Sequence, residues 1–247
     1  MSSHADVLGS GALVVLGIMV CAWIVSLLIR DAGIVDIAWG AGVAAIAWTA
    51  ACVGDGHGGR SDLLVAMATI SGVSVAAHRL WRTRGRGESR RHAAMRRAAG
   101  DAFPARSLVT VFVLRGVVLW IVALPVQLAM SPGEPGLGPL AVIGVVLWGI
   151  GLFLETVSGA QLTRFTAEPA NDGAILRAGL WQAPLRPDHV GTLGAWWGIF
   201  LVAAETSDAR IGVIGPILLS ILLVRAVDGL RQLDVGMRAD QSEYGES

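Results

Sequence analysis

The chain has no lysine, so all 19 of its fixed positive charges are arginine guanidiniums. Charge of either sign is scarce, at 15% of 247 residues, whereas soluble domains carry roughly a quarter. With 54% hydrophobic residues and a mean hydropathy of +0.63, this shortage excludes an ordinary water-soluble domain. The arginines are balanced by 19 acidic residues, and a net charge of zero gives no footprint for nucleic acid. Only two cysteines occur, Cys21 and Cys52, both inside apolar runs. Two are too few for a disulfide framework, and they read as small buried hydrophobes.

What is abundant is long apolar sequence. About 20 residues of helix are needed to cross roughly 30 Å of hydrocarbon, and runs of that kind lie near 10–29, 33–53, 62–81, 107–130, 138–160, 189–205 and 210–227. These predict an all-α fold, a polytopic membrane helix bundle of about seven transmembrane helices, with 1–247 as one integral membrane domain. The leader Met1–Ser10 has no basic residue, and the run after it is too long for a signal peptide.

Arginine placement predicts orientation, because cytoplasmic loops carry the basic excess. Sixteen arginines fall on one side of the predicted spans, most of them between Arg79 and Arg106; only Arg60 and Arg210 fall on the other, and Arg115 lies within a span. A multi-pass protein of the cell membrane is expected, with its N-terminus outside and its C-terminus in the cytoplasm. Most of the basic loop serves this bias and anionic membrane lipid; some of its guanidiniums suit phosphate.

Several motifs carry less than they suggest. Gly54-Asp55-Gly56-His57-Gly58-Gly59 matches the glycine pattern of dinucleotide-binding turns, but it follows a membrane span where the motif needs a strand, and it is rejected. Gly40 and Ala44, like Gly194 and Gly198, have the small-residue spacing of close helix packing. Ser131-Pro132-Gly133-Glu134-Pro135-Gly136 reads as a tight turn on the non-basic side. Trp181, Trp196 and Trp197 suit either an interfacial belt or stacking on a ligand. Asp188-His189 is a weak metal or acid–base signal with no further ligands nearby, so no metal site is predicted.

The chemistry is expected from ionisable groups inside the spans, which are costly unless they are paired or face water. These are Asp36, His78, Arg115 and Glu155, all placed toward the basic side. One reading is an ion pair of Arg115 with Asp36 or Glu155 that only holds the bundle. The other is a polar cavity for the head of an apolar, lipid-like small molecule or the reactive end of a cofactor. The stretch Glu155–Gly198 organises this region, with two apolar segments flanking a compact run of Pro, Gly, Asn, Asp, His and Arg.

Ile34-Val35-Asp36-Ile37-Ala38-Trp39-Gly40 on the second span, the arginine-rich stretch from Arg84 to Phe103 and the crossing from Glu155 to Gly198 together resemble the bacterial DUF1295 branch of the steroid 5-alpha-reductase-like membrane family. Ile34-Val35-Asp36-Ile37-Ala38-Trp39-Gly40 is similar to its second-helix signature. Arg84-Gly85-Arg86-Gly87-Glu88 to Arg91, Met95-Arg96-Arg97 and Gly100-Asp101-Ala102-Phe103 are similar to its basic loop. Ser107-Leu108, Val111-Phe112 and Leu124-Pro125 follow its fourth helix. Glu155, Gln161, Phe165, Pro169, Asn171, Gly173, Gly179-Leu180-Trp181, Pro187, Gly191 and Trp196-Trp197-Gly198 follow its crossing segment.

The resemblance implies reduction of a carbon–carbon double bond conjugated to a carbonyl, with NADPH as hydride donor. It implies Asp36, His92 and Glu155 as catalytic residues. Glu88, Arg91, Asn171, Trp181, Arg186, Pro187, Asp188 and His189 would lie on the cofactor side. The chain departs from the family at Ser89, His92, Arg115, Gly159, Asp188 and Thr192, where the family carries Asp, Tyr, Gln, Asp, Asn and Glu, which implies an altered cofactor site. Two other functions fit the same pattern: a non-catalytic scaffold or lipid-binding protein, and a methyltransferase of the isoprenylcysteine type, whose Arg-His-Pro turn is similar.

Overall fold

The computed structural model describes residues 3–54, 56, 58–83, 90–130, 136–171, 174–182 and 186–226. Among these the chain is an all-α bundle with no strand. Helices α1 (His4–Ile29), α2 (Ile34–Val53) and α3 (Gly59–Thr83) run up and down. A surface helix, α4 (Arg90–Ala99), follows. The next crossing is built in pieces: α5 (Phe103–Ser107), a wide π turn (Leu108–Val113), α6 (Leu114–Val122) and α7 (Leu124–Leu128). Then come α8 (Pro139–Ala167), α9 (Pro187–Ala203) and α10 (Asp208–Ala226).

Six of the described helical segments are long and apolar enough to cross a membrane. α9 has 17 residues, about 25 Å at 1.5 Å per residue. It nevertheless returns the chain across the bundle, because it lies antiparallel against α8. Glu155 faces Gly191 and Thr192, Gly151 faces Gly194 and Ala195, Gly144 faces Gly198, and Gly138 meets Glu205.

Glycine makes that seam. A Cβ on Gly151, Gly191 or Gly198 would collide with backbone atoms of the opposite helix, so the two main chains touch where larger residues would hold them apart. The pair Gly40 and Gly72 does the same between α2 and α3. Pro125 explains the break at Ala123. It offers no N–H to the carbonyl of Ile121 and crowds it, and Gly215 of α10 packs against the carbonyls of Ile121 and Val122.

Contacts sort the molecule into two ends. At one, Trp23 Nε1 donates to the Pro104 carbonyl (3.0 Å) and Arg30 closes α1 with φ 54°. At the other, Arg60, Glu205, Thr206 and Gly136 interlock, and His4 bonds Asp208 at 3.0 Å. His4 therefore sits beside the start of α10, whose last described turn lies at the opposite end, as an odd number of crossings requires.

Three expectations change. The basic stretch expected as a loop contains a helix, α4. Cys21 and Cys52 are exposed, not buried, since the lipid-facing side of a spanning helix is as apolar as its core. Trp196 is core (5% exposed) and not part of a belt. The Ser131–Pro135 portion of the predicted turn and the Asp55 and His57 positions of the rejected glycine motif lie outside the described residues.

Candidate functional site

The site lies toward the arginine-rich end, where the ends of α2, α3, α6 and α9 converge beside the middle of α8. Asp36 stands in the first turn of α2, where a carboxylate is favoured by the helix dipole. Its Oδ1 is in direct contact with Nη1 of Arg115 on α6, and its Oδ2 lies 3.4 Å from Nη1 of Arg79 near the end of α3. The structure thus pairs Arg115 with Asp36, the first of the two partners weighed from sequence. One carboxylate is shared between two guanidiniums, and both arginines stay over a third exposed (Arg79 41%, Arg115 36%).

A second group forms on the α8–α9 seam. Thr192 Oγ1 lies 2.8 Å from Glu155 Oε1 and 3.0 Å from the Asp188 carbonyl. A hydroxyl has one proton, so if it is spent on the carbonyl, the contact with Glu155 needs the carboxyl to be the donor. Asp188 holds Arg186 by two bonds, Nε to Oδ1 at 3.2 Å and Nη2 to Oδ2 at 2.6 Å. The Arg186 guanidinium also sits 5.7 Å from the centre of the Trp181 ring. His189 Nε2 lies 4.0 Å from Asp188, and its buried Nδ1 has no hydrogen-bond partner.

Arg79 joins the two groups, being within electrostatic reach of both Glu155 and His189. Its neighbour His78 packs on Gly159, where a Cβ would strike the imidazole. His78 Nε2 is 3.5 Å from Thr163 Oγ1, and the ring meets Trp81 edge-on. The space at Gly159 is therefore filled from α3.

The remaining predicted residues serve the chain's own architecture as well. Asn171 Nδ2 donates to the Phe165 carbonyl (3.0 Å) and closes the end of α8. Trp181 Nε1, its one donor, is bonded to the Ser158 carbonyl at 3.0 Å, and Leu180 N to Gln161 Oε1 at 3.1 Å. These bonds lay the crossing segment back along α8. Gly179 turns it with φ 60° against Gln161, a left-handed conformation that glycine adopts without penalty. Pro187 is buried in the first turn of α9, where its missing N–H costs nothing. His92, 8% exposed, faces inward from α4 within electrostatic reach of Asp36. Arg91 is on α4 but its side chain is outside the described set, as is all of Glu88.

Sequence reading did not assign Arg79 to the site, since an arginine at a span's end reads as flanking charge. Its placement beside His78, at the end of α3 that lies against the start of α2, was the only available signal. Thr192 stood out only as a departure from the family pattern.

An apolar cavity of about 320 Å³ lies between α1 and α6, lined by Val15, Met19, Val113, Gly116, Val117 and Trp120 among others. Val113 and Gly116 flank Arg115 closely in sequence. No group of three or more metal-ligating side chains occurs among the described residues.

A family model described as "Protein of unknown function (DUF1295)" matches residues 22–246. No curated protein and no solved structure matches the chain.

Proposed function

The chain belongs to the DUF1295 family, and from that premise we propose that it is an NADPH-dependent membrane oxidoreductase acting on a carbon–carbon double bond conjugated to a carbonyl in an apolar, lipid-like molecule. The observation that carries this reading is that the cavity and the Asp36 group share α6. An apolar cavity reaches the helix that bears Arg115, and the Asp36–Arg115–Arg79 group and the Glu155–Thr192 pair stand at the same end of the bundle.

The residues present fit a phosphate-bearing cofactor at Arg79. That side chain has one 3.4 Å contact and is two-fifths exposed, which leaves guanidinium donors for phosphate oxygens. Arg186 is less open, because Asp188 already takes two of its donors. When bound, NADPH would supply the hydride. Arg79 would hold phosphate with Asp36 orienting it, and Arg115 would keep Asp36 in place. Glu155, with Thr192 donating to its Oε1 and its own proton on Oε2, would present that proton to the carbonyl oxygen as enolate charge develops. The glycine seam would keep water from the carboxyl. The site would face the cytoplasm, in line with the arginine bias.

The test is NADPH titration of detergent-solubilised protein followed by thermal unfolding. Saturable stabilisation that is lost in Arg79→Gln is expected, and no saturable response at millimolar cofactor overturns the reading.

One observation favours a second reading, a non-catalytic lipid-binding scaffold. The Arg186–Asp188 pair neutralises internally the guanidinium that a phosphate would take in the family pattern. On that reading Asp188→Asn with Thr192→Glu gains no cofactor binding, and a clear gain counts against it.

A further inference from the structure

The surface helix α4 has a defined inner and outer side. His92 is buried and Met95 packs against the core, while Ala94, Arg97 and Ala98 are exposed. The corner after it is fixed. Arg96 lays its guanidinium 4.0 Å from the centre of the Phe103 ring, Phe103 is buried, and the Pro104 carbonyl accepts from Trp23 of α1. Arg106, in the last turn of α5, is exposed. At the same end the last turns of α3 expose Leu80 and Trp81, residue types that settle at the boundary between hydrocarbon and headgroups.

We propose that the outer side of α4 together with Arg106 is a docking surface for anionic phospholipid headgroups, and that this docking seats His92 against the Asp36 group. The charge suits it: Arg97 and Arg106 are exposed, and the one described acid on this stretch is Asp101. The small side chains of Ala94 and Ala98 let the helix lie flat on a bilayer. The position suits it as well, because the arginines sit at the end of the bundle where the final two turns of α1 and α3 carry Trp23 and Trp81. A lipid phosphate meets guanidinium here as a bidentate acceptor, and each arginine near a charged bilayer surface strengthens binding roughly fivefold. The inference concerns lipid and needs no cofactor at the neighbouring site.

The experiment uses the full chain in a neutral detergent, titrated with dihexanoyl-phosphatidylglycerol, with dihexanoyl-phosphatidylcholine and with inorganic phosphate at matched ionic strength. The unfolding midpoint gives an apparent affinity for each. Phosphatidylglycerol is expected to raise the midpoint in a salt-sensitive way, and the other two to leave it unchanged. The apparent Kd for phosphatidylglycerol should rise roughly fivefold in R97Q and again in R97Q/R106Q, two exposed positions that leave packing alone. R210Q, at the opposite end, should behave as the parent. An equal shift with phosphatidylcholine, a shift with phosphate alone, or an unchanged affinity in R97Q/R106Q overturns the docking surface. Histidine-labelled NMR reads the second half: the His92 resonance should move with phosphatidylglycerol in the parent protein and not in R97Q/R106Q. A His92 signal indifferent to lipid overturns the seating.

Discussion

Asp36 is one carboxylate placed between two guanidiniums, and the two are not equal. Arg115 contacts it directly and Arg79 holds at 3.4 Å, so removing the carboxylate strands Arg115 first. Asp36→Asn and Arg115→Gln should each destabilise the solubilised protein by about 1–3 kcal/mol, and the double variant by less than their sum. A double-mutant cycle reads that coupling, expected at about 1–2 kcal/mol; additive losses would deny the pair. At the other end Glu205 accepts from the backbone N–H groups of Gly138 and Ala141 and from Arg60, whose side chain is buried. Burial alone would raise the Glu205 carboxyl, but those donors outweigh it and hold it below the usual range. The stabilisation is then complete above the ordinary glutamate value of about 4.3 and fades as pH falls through the lower folded-state value. Glu205→Gln should flatten this acid limb of the unfolding midpoint and cost on the order of 3 kcal/mol at neutral pH, because Arg60 stays buried without its anion. At this scale the sequence was legible wherever an ionisable residue interrupted an apolar run, as at Asp36, His78, Arg115 and Glu155. It was silent on Arg79, whose neighbours make it look like any flanking arginine.

The α8–α9 seam decides what the elements can tolerate. Its glycines face backbone, and backbone cannot rotate away as a side chain can. Gly151→Ala or Gly191→Ala should therefore push the helices apart, at about 1–3 kcal/mol for overpacking, and loosen the contact of Thr192 with Glu155. Gly149→Ala, which meets nothing within 4 Å, should be nearly neutral. Comparing unfolding midpoints of the three variants checks the point, and equal midpoints would mean the seam is softer than its geometry. Element existence was largely readable here and element detail was not. Apolar run length gave the spans, but the fourth, expected unbroken over 107–130, divides at Ala123, where Pro125 is the mark. The π turn at Leu108–Val113 left no such mark, because a wide turn needs no special residue type. α8 continues seven residues beyond its predicted end at 160, since Gln161 and the Asn171 cap extend it beside the crossing segment. α4 was hidden because the inward spacing of His92 and Met95 is short and surrounded by arginine.

As a whole molecule, the bundle is asymmetric in charge along its long axis, and this predicts how it sits. In a background with Cys21 and Cys52 replaced by alanine, S207C should react with a membrane-impermeant maleimide on intact cells, and A105C only after the membrane is opened. The reverse pattern would invert the orientation. Fold class followed from composition. The convergence of five helices on Asp36 and Glu155 did not, because residues 36, 79, 115, 155 and 192 meet only through tertiary packing. The lock formed by Arg60 has a consequence in time. Glu205 lies 145 residues after Arg60, so at the usual rates of synthesis its partner emerges on the order of ten seconds later. Through that interval the start of α3 carries Arg60 without its Glu205 anion, on the side the charge bias disfavours. Biogenesis is thus expected to reach this point with α3 provisionally inserted and to commit it only when the α9–α10 turn arrives, so that chains truncated before Glu205 leave α3 open to slippage and to quality-control proteolysis.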